Sequence, residues 1–314
     1  MATTARETTA TEAATHARAP LGRIDALLFL MALIWAVNYS VLKYGTQAVA
    51  PLAYNGVRIP FAAAVQLVLA RAIRIGPVSR RDARTLILLG LLGNGVYQLL
   101  FIQGVARTRV ATTVLILASG PALVAILGRL HGSERLTRRA LGGVALQLAG
   151  VACVVLGAAG STSGSDSLLG GLLVLSAAIT WAFFSILVKP YSERIPGLQI
   201  GAYTMLGGAL VSGTAALPAI AATDWRALPA GVYGALLYSS LGAMVIAYLI
   251  WYHGVRTIGP TRTSMYGNLQ PVIAMAVAWA FLKELPSGWQ ITGAICIMSG
   301  LVMARTASRE PEAP

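Results

Sequence analysis

Four carboxamides, Asn94, Gln98, Asn268 and Gln270, stand inside long apolar runs. A group that cannot shed its hydrogen-bonding demand needs a partner or a ligand there. Asn94, Tyr97, Gln98 and Phe101 are spaced by three and four residues, so they share one helical face. Comparable polar and aromatic sets are Trp35, Asn38 and Tyr39; Thr112, Thr113 and Ser119; and Trp181 and Ser185. Later in the chain come Tyr238, Ser239, Tyr248, Trp251 and Tyr252, then Thr263, Ser264 and Tyr266. Together such groups can line a neutral, aromatic-walled cavity that binds a small molecule by hydrogen bonds and ring contacts. A competing structural role exists for each type. Ser and Thr bond back to their own helix, Tyr and Trp sit at headgroup level, and Asn or Gln tie helices together. The carboxamides make the stronger case for a cavity.

Bond-making chemistry has no equipment here. Serine proteolysis needs a histidine within the membrane, metal catalysis needs His and acidic clusters, and prenyl transfer needs paired aspartates on magnesium. His16, His131 and His253 all fall outside span centres. The reading is therefore no enzyme, no metal and no cofactor. Cys153 and Cys296 lie in apolar runs as small hydrophobic residues. Glu134 and Glu284 are the acidic residues nearest to spans, and both sit at span ends. Without a buried carboxylate to take drug and proton in turn, a neutral or zwitterionic solute fits better than a cationic drug, with weak or absent proton coupling. Arg58 is the one clear intramembrane charge. It can snorkel as an anchor, serve a structural role, or receive a carboxylate.

The elements that must position these groups are membrane-spanning helices. Apolar residues make up 56% of the chain and charged residues 11%, with a mean hydropathy of +0.71, which excludes an ordinary soluble domain. Spans are expected at 24–46, 50–72, 85–106, 109–130 and 137–158, then at 168–189, 197–220, 230–252, 261–282 and 288–305. Long continuous runs exclude a transmembrane β-barrel. The net charge of +13 points to the lipid bilayer, not to nucleic acid, because no loop can carry a solvated basic patch. Most Lys and Arg residues, led by Arg71, Arg74, Arg80, Arg81 and Arg84, fall in loops on the N-terminal side. Both termini are accordingly expected in the cytoplasm. Residues 1–23 read as a disordered tail and not a cleaved signal peptide; 24–158 and 168–305 are two five-helix units, joined by a Gly/Ser linker at 159–167, and 306–314 form a second tail.

The two units are related. Gly104, Val105, Thr113, Pro121, Glu134, Gly143 and Gly150 recur 150 positions later as Gly254, Val255, Thr263, Pro271, Glu284, Gly293 and Gly300. Trp35, Ala36 and Lys43 recur 146 positions later as Trp181, Ala182 and Lys189. An odd number of spans per unit inserts the second unit upside down, giving an all-α membrane protein of ten helices in two inverted repeats. Pro121 and Pro271 each remove a backbone hydrogen bond mid-helix and are expected hinges. The seven-residue glycine spacing of Gly143, Gly150 and Gly157, repeated at Gly293 and Gly300, reads as close packing between the fifth and tenth helices.

The mid-helix proline, the glutamate closing that span and the spaced glycines of 104–150 and 254–300 resemble the EamA module of the drug/metabolite transporter superfamily. Pro51 to Arg58 is similar to that family's pattern as well, although 196–204 has no matching arginine. Length and aromatic polar positions are most similar to its YddG-type bacterial amino-acid exporters. The resemblance implies an inner-membrane carrier that exports small metabolites by alternating access, amino acids foremost, including aromatic and hydrophobic ones. A sugar, a purine or a drug is the alternative cargo. A channel lacks a visible gate pattern, and oligomeric state is left open.

Overall fold

A computed structural model describes residues 22–73, 76–130, 137–159, 166–258 and 260–307, with only the backbone of 159, 260–262, 264, 305 and 307. His16, His131, Glu134, Arg74, the N-terminal tail, most of the linker and residues 308–314 lie outside the described residues, and so does the side chain of Ser264. Every regular element among the described residues is helical. The first unit comprises α1 (Arg23–Ala48), α2 (Pro51–Ala72), α3 (Arg80–Arg107), α4 (Val110–Leu130) and α5 (Arg138–Ala159). The second comprises α6 (Leu168–Ser192), α7 (Gly197–Ala221), α8 (Ala230–Ile258), α9 (in two pieces, Pro260–Gly267 and Gln270–Leu282) and α10 (Gly288–Ala307). Nine described stretches are long and apolar enough to cross a membrane, and α10 adds a shorter apolar helix. The protein is a multi-pass membrane protein.

Irregularities recur with the repeat. α3 carries a π-helical segment at Leu91–Val96, and α8 carries one at Tyr238–Ile246. Such segments rotate the helix phase and leave carbonyls loosely held. In α3 this occurs where α7 presses in through glycines: a Cβ on Gly208 would lie 2.6 Å from the Asn94 Cβ. α4 breaks at Ser119, ahead of Pro121, and α9 breaks at Asn268–Leu269, ahead of Pro271. The sequence places these prolines inside continuous helices. The structure instead puts each in the first turn of a new helical piece, where a missing N–H costs nothing. The break is carried by the residues before it, and Ser119 Oγ donates at 2.6 Å to Ile116 O, which also accepts from Ser119 N.

Helix pairing is mirrored between the units. α5 packs on α10, and α2 on α7; α3 and α4 both pack on α6, as α8 and α9 both pack on α1. The glycine stripe sits where its spacing suggests: a Cβ on Gly150 would lie 2.8 Å from Gly293 O, and one on Gly143 would lie 2.6 Å from Gly300 O. These backbones touch, so α5 and α10 form a scaffold to one side of the other eight helices.

Candidate functional site

A cavity of about 500 Å³ enters the bundle at the end where α6, α7 and α8 meet, with the connection Glu193–Pro196 and Val255–Arg256 at its mouth. Its wall is aromatic: Trp181 and Phe184 from α6 face Tyr248, Trp251 and Tyr252 from α8, and Asn94 comes from the π segment of α3. Trp181 and Phe184 have centroids 5.2 Å apart, and Tyr248 and Tyr252 6.0 Å apart. Glu193, Arg194 and Arg256 make the mouth charged, so neutrality holds for the deeper wall only. Arg194 is held at this mouth by two 2.7 Å hydrogen bonds to Asp82, and its guanidinium covers the Tyr191 ring.

Behind the wall the rings continue. Trp35 packs edge-on to Tyr248 at 5.5 Å, and its Nε1 donates to Ala243 O at 2.9 Å, a carbonyl within the π segment of α8. Tyr97 touches Trp181 at 5.1 Å and stacks on Phe101 at 5.5 Å, which in turn meets Tyr39 at 6.2 Å. Phe101 belongs to a buried cluster with Leu42, Tyr54, Ile102 and Val105, so packed side chains fill the bundle beyond this layer.

That far end is closed by polar bonds. Lys43, only 5% exposed, donates from Nζ to the carbonyls of Val105, Ala106 and Thr108 at 3.3, 3.4 and 2.5 Å. It thus caps the C-terminus of α3, where a cation complements the helix dipole. Asp166 accepts from Arg109 N, Thr112 Oγ1 and Gln290 Nε2 at 3.2, 3.0 and 3.3 Å. Glu284 accepts from Val110 N at 2.8 Å. It gets there because Lys283 takes a left-handed turn (φ 57°) as α9 ends. Both carboxyls therefore cap the start of α4. Burial pushes the Asp166 and Glu284 carboxyls above the usual carboxylate range, against the hydrogen bonds they accept and the charges of Lys43 and Arg109. Neither lines the cavity.

Of the residues singled out by sequence, Asn94, Trp181, Tyr248, Trp251 and Tyr252 line the cavity, and Trp35, Tyr97, Phe101 and Tyr39 form the layers behind it. Asn38 sits half-buried on α1 beside them, with its Oδ1 unpartnered. Others are not brought to the cavity. Thr113 pairs with Thr108 at 3.0 Å, Ser185 bonds back to Trp181 O at 2.7 Å, and Tyr266 donates to Asp25 near the start of α1. Asn268 and Gln270 flank the break in α9, outside the cavity lining. Tyr238 donates to Ile34 O, Ser239 pairs with Tyr54, and buried Thr263 sits against Gly254. His253 is exposed near the end of α8.

Arg58 differs from the simplest reading of its position. At 1% exposure it does not snorkel anywhere. Its Nη2 donates to Gln98 Oε1 at 2.8 Å. Sequence reasoning also missed the contribution of α7, which brings Ile200, Gly201 and Thr204 to the wall. Its start carries no aromatic stripe, only the glycines that let Tyr252 approach, and glycines alone signal many things.

A family model described as the EamA-like transporter family matches residues 22–156 and again 168–306. The chain belongs to the EamA-like transporter family. Its two matched segments coincide with the two five-helix units. This EamA-like transporter is 31% identical over 290 residues to the uncharacterized inner membrane transporter YedA of Escherichia coli (strain K12), covering 88% of this chain and 89% of that one. It is 26% identical over 297 residues to a probable terminal-alkyne amino-acid exporter of Streptantibioticus cattleyicolor, covering 91% and 95%. A solved structure titled only as the crystal structure of a protein superposes with a TM-score of 0.64 at 20% identity over 92% of this chain and 99% of that one. That likeness concerns the fold.

Proposed function

We propose that this EamA-like transporter is a carrier of the bacterial inner membrane that exports small neutral or zwitterionic metabolites, amino acids foremost, by alternating access. One observation carries the reading: an aromatic-walled cavity opens at one end of the bundle, while Lys43 bonded to the end of α3, and Asp166 and Glu284 bonded to the start of α4, close the other. A channel needs a continuous path, and a scaffold needs no cavity. Two inverted repeats supply the second state, because exchanging their conformations exchanges which end is closed. With both termini cytoplasmic, the Arg256 end would face the cytoplasm and the Lys43 end would face outward, and this conformation reads as inward-open. The breaks before Pro121 and Pro271 are the hinges. Asn94, Trp181, Tyr248, Trp251 and Tyr252 form the first contact surface for the solute, and Tyr97 and Trp35 back it. A relative named as a probable amino-acid exporter supports this cargo over a sugar or a purine.

The test is counterflow in proteoliposomes with labelled amino acids, sugars and nucleosides. Unlabelled amino acid inside the vesicle should accelerate entry of labelled amino acid. Flux that is indifferent to solute on the far side contradicts a carrier, and acceleration by sugars or nucleosides alone reassigns the cargo.

A further inference from the structure

Arg58 is buried inside the helix bundle, on an apolar span, without a counter-charge. The groups acting on it electrostatically are Tyr54, Tyr97 and Tyr248, and no carboxylate is among them. Its one recorded hydrogen bond goes to Gln98, and its Nε is buried with no partner. A guanidinium offers five donors in a planar fork, and leaving most of them idle in a dry interior is expensive. One turn earlier on α2, the fully buried Asn55 donates from Nδ2 to Gln98 O at 2.7 Å, while its Oδ1 has no partner. Gln98 thus fixes two side chains at once. One presents unused donors and the other an unused acceptor.

We propose that Arg58 and Asn55, both held by Gln98, form the headgroup site for an α-amino-acid zwitterion. The carboxylate takes the free guanidinium donors, and the ammonium takes Asn55 Oδ1. This deepens the carrier reading and rests on it. A bidentate guanidinium–carboxylate pair supplies the charge that the site lacks. The site lies one aromatic layer behind the cavity: Tyr248 lines the cavity wall, and Tyr97 packs on Trp181, which also lines it. Entry requires those two tyrosines to swing aside. The substrate side chain is then left against the rings of Tyr97, Phe101 and Trp181, which favours aromatic and large aliphatic amino acids.

The experiment is equilibrium binding to the purified full-length chain, with L-phenylalanine, L-phenylalaninamide and 3-phenylpropanoate each titrated separately. Phenylalanine should bind at least about tenfold more tightly than either analogue, since each lacks one charge-assisted partner. Arg58→Gln should erase the preference over the amide. Because that variant can fail to fold, Gln98→Glu is the second: it gives Arg58 a permanent carboxylate and should weaken phenylalanine about tenfold while sparing the amide. Equal binding of all three ligands, binding of none, or an unchanged preference in Gln98→Glu overturns the site. Counterflow of a sugar or nucleoside with no phenylalanine binding overturns the site and keeps the carrier. Phenylalanine preference without counterflow does the reverse.

Discussion

Lys43 and Lys189 occupy equivalent places in the two repeats, 146 positions apart, yet Lys43 is buried against three carbonyls at the end of α3 while Lys189 is exposed near the cavity mouth. The repeat places Val255, Arg256 and Ile258 at the end of α8 as counterparts of Val105, Ala106 and Thr108. Under the alternating access proposed above, exchange of the two conformations would bring Lys189 onto those carbonyls and release Lys43.

Removing the Lys43 ammonium leaves buried acceptors unsatisfied, at a cost of about 1–3 kcal/mol to the closed end. In a Val105→Cys background, Lys43→Met should raise the rate of labelling by an impermeant maleimide applied from outside by about tenfold or more. Lys189→Met should leave it unchanged or lower it. Equal rates in all three would remove Lys43 from the closure.

The closure should also respond to pH. Burial raises the Asp166 and Glu284 carboxyls, with Lys43 and Arg109 facing them and opposing the shift. The closed state thus holds protons more tightly than an open, hydrated one, for which carboxyls titrate near pH 4. Stability of the closed end is therefore greatest below that value and is lost as pH rises through the raised range. Labelling of Val105→Cys from outside should accelerate with rising pH, and Asp166→Asn should flatten the profile. Acceleration on acidification would reverse the assignment.

Cavity contacts and structural contacts should separate in flux. Trp181→Ala and Tyr248→Ala each remove a ring from the wall and should raise the KM for an aromatic amino acid, at about 1–3 kcal/mol apiece. Asn94→Ala should impair transport, whereas Gln270→Ala, outside the lining, should leave KM near the parent value. Comparable KM shifts in both would place the break of α9 in the pathway.

The α5–α10 seam should behave as scaffold. Gly150→Leu forces a side chain into backbone that leaves no room for a Cβ and should destabilise the fold by roughly 1–3 kcal/mol. Thermal unfolding in detergent measures this. A stable protein with lost transport would move the seam into the mechanism.

Much of this was legible from side-chain type alone. Ten apolar runs, the duplicated glycine spacing, the prolines near helix breaks and the aromatic set on α8 are local signals, and each had a local physical cause. What escaped depended on packing between distant segments. Gln98 looked like a cavity wall but serves Arg58, because only the fold reveals that α2 and α3 meet there. Asn268 and Gln270 read as costly mid-span groups; the structure places them at the break in α9, outside the cavity lining. Lys43 stood out only as part of the repeat, because a lysine near a span end ordinarily snorkels, and its carbonyl partners lie more than sixty residues away. The π segment of α3 was equally silent, as it lies where glycine-rich α7 crowds that helix.

The central claim is that one cavity opens to one side at a time. It is tested most directly by two spin-label distances in one reconstituted protein. One pair spans the cavity mouth at Val188 and Val255, and the other spans the closure at Thr46 and Leu285. On addition of amino acid the two distance distributions should shift in opposite directions, one end closing as the other opens. Simultaneous widening at both ends, or no coupling between them, would contradict alternating access.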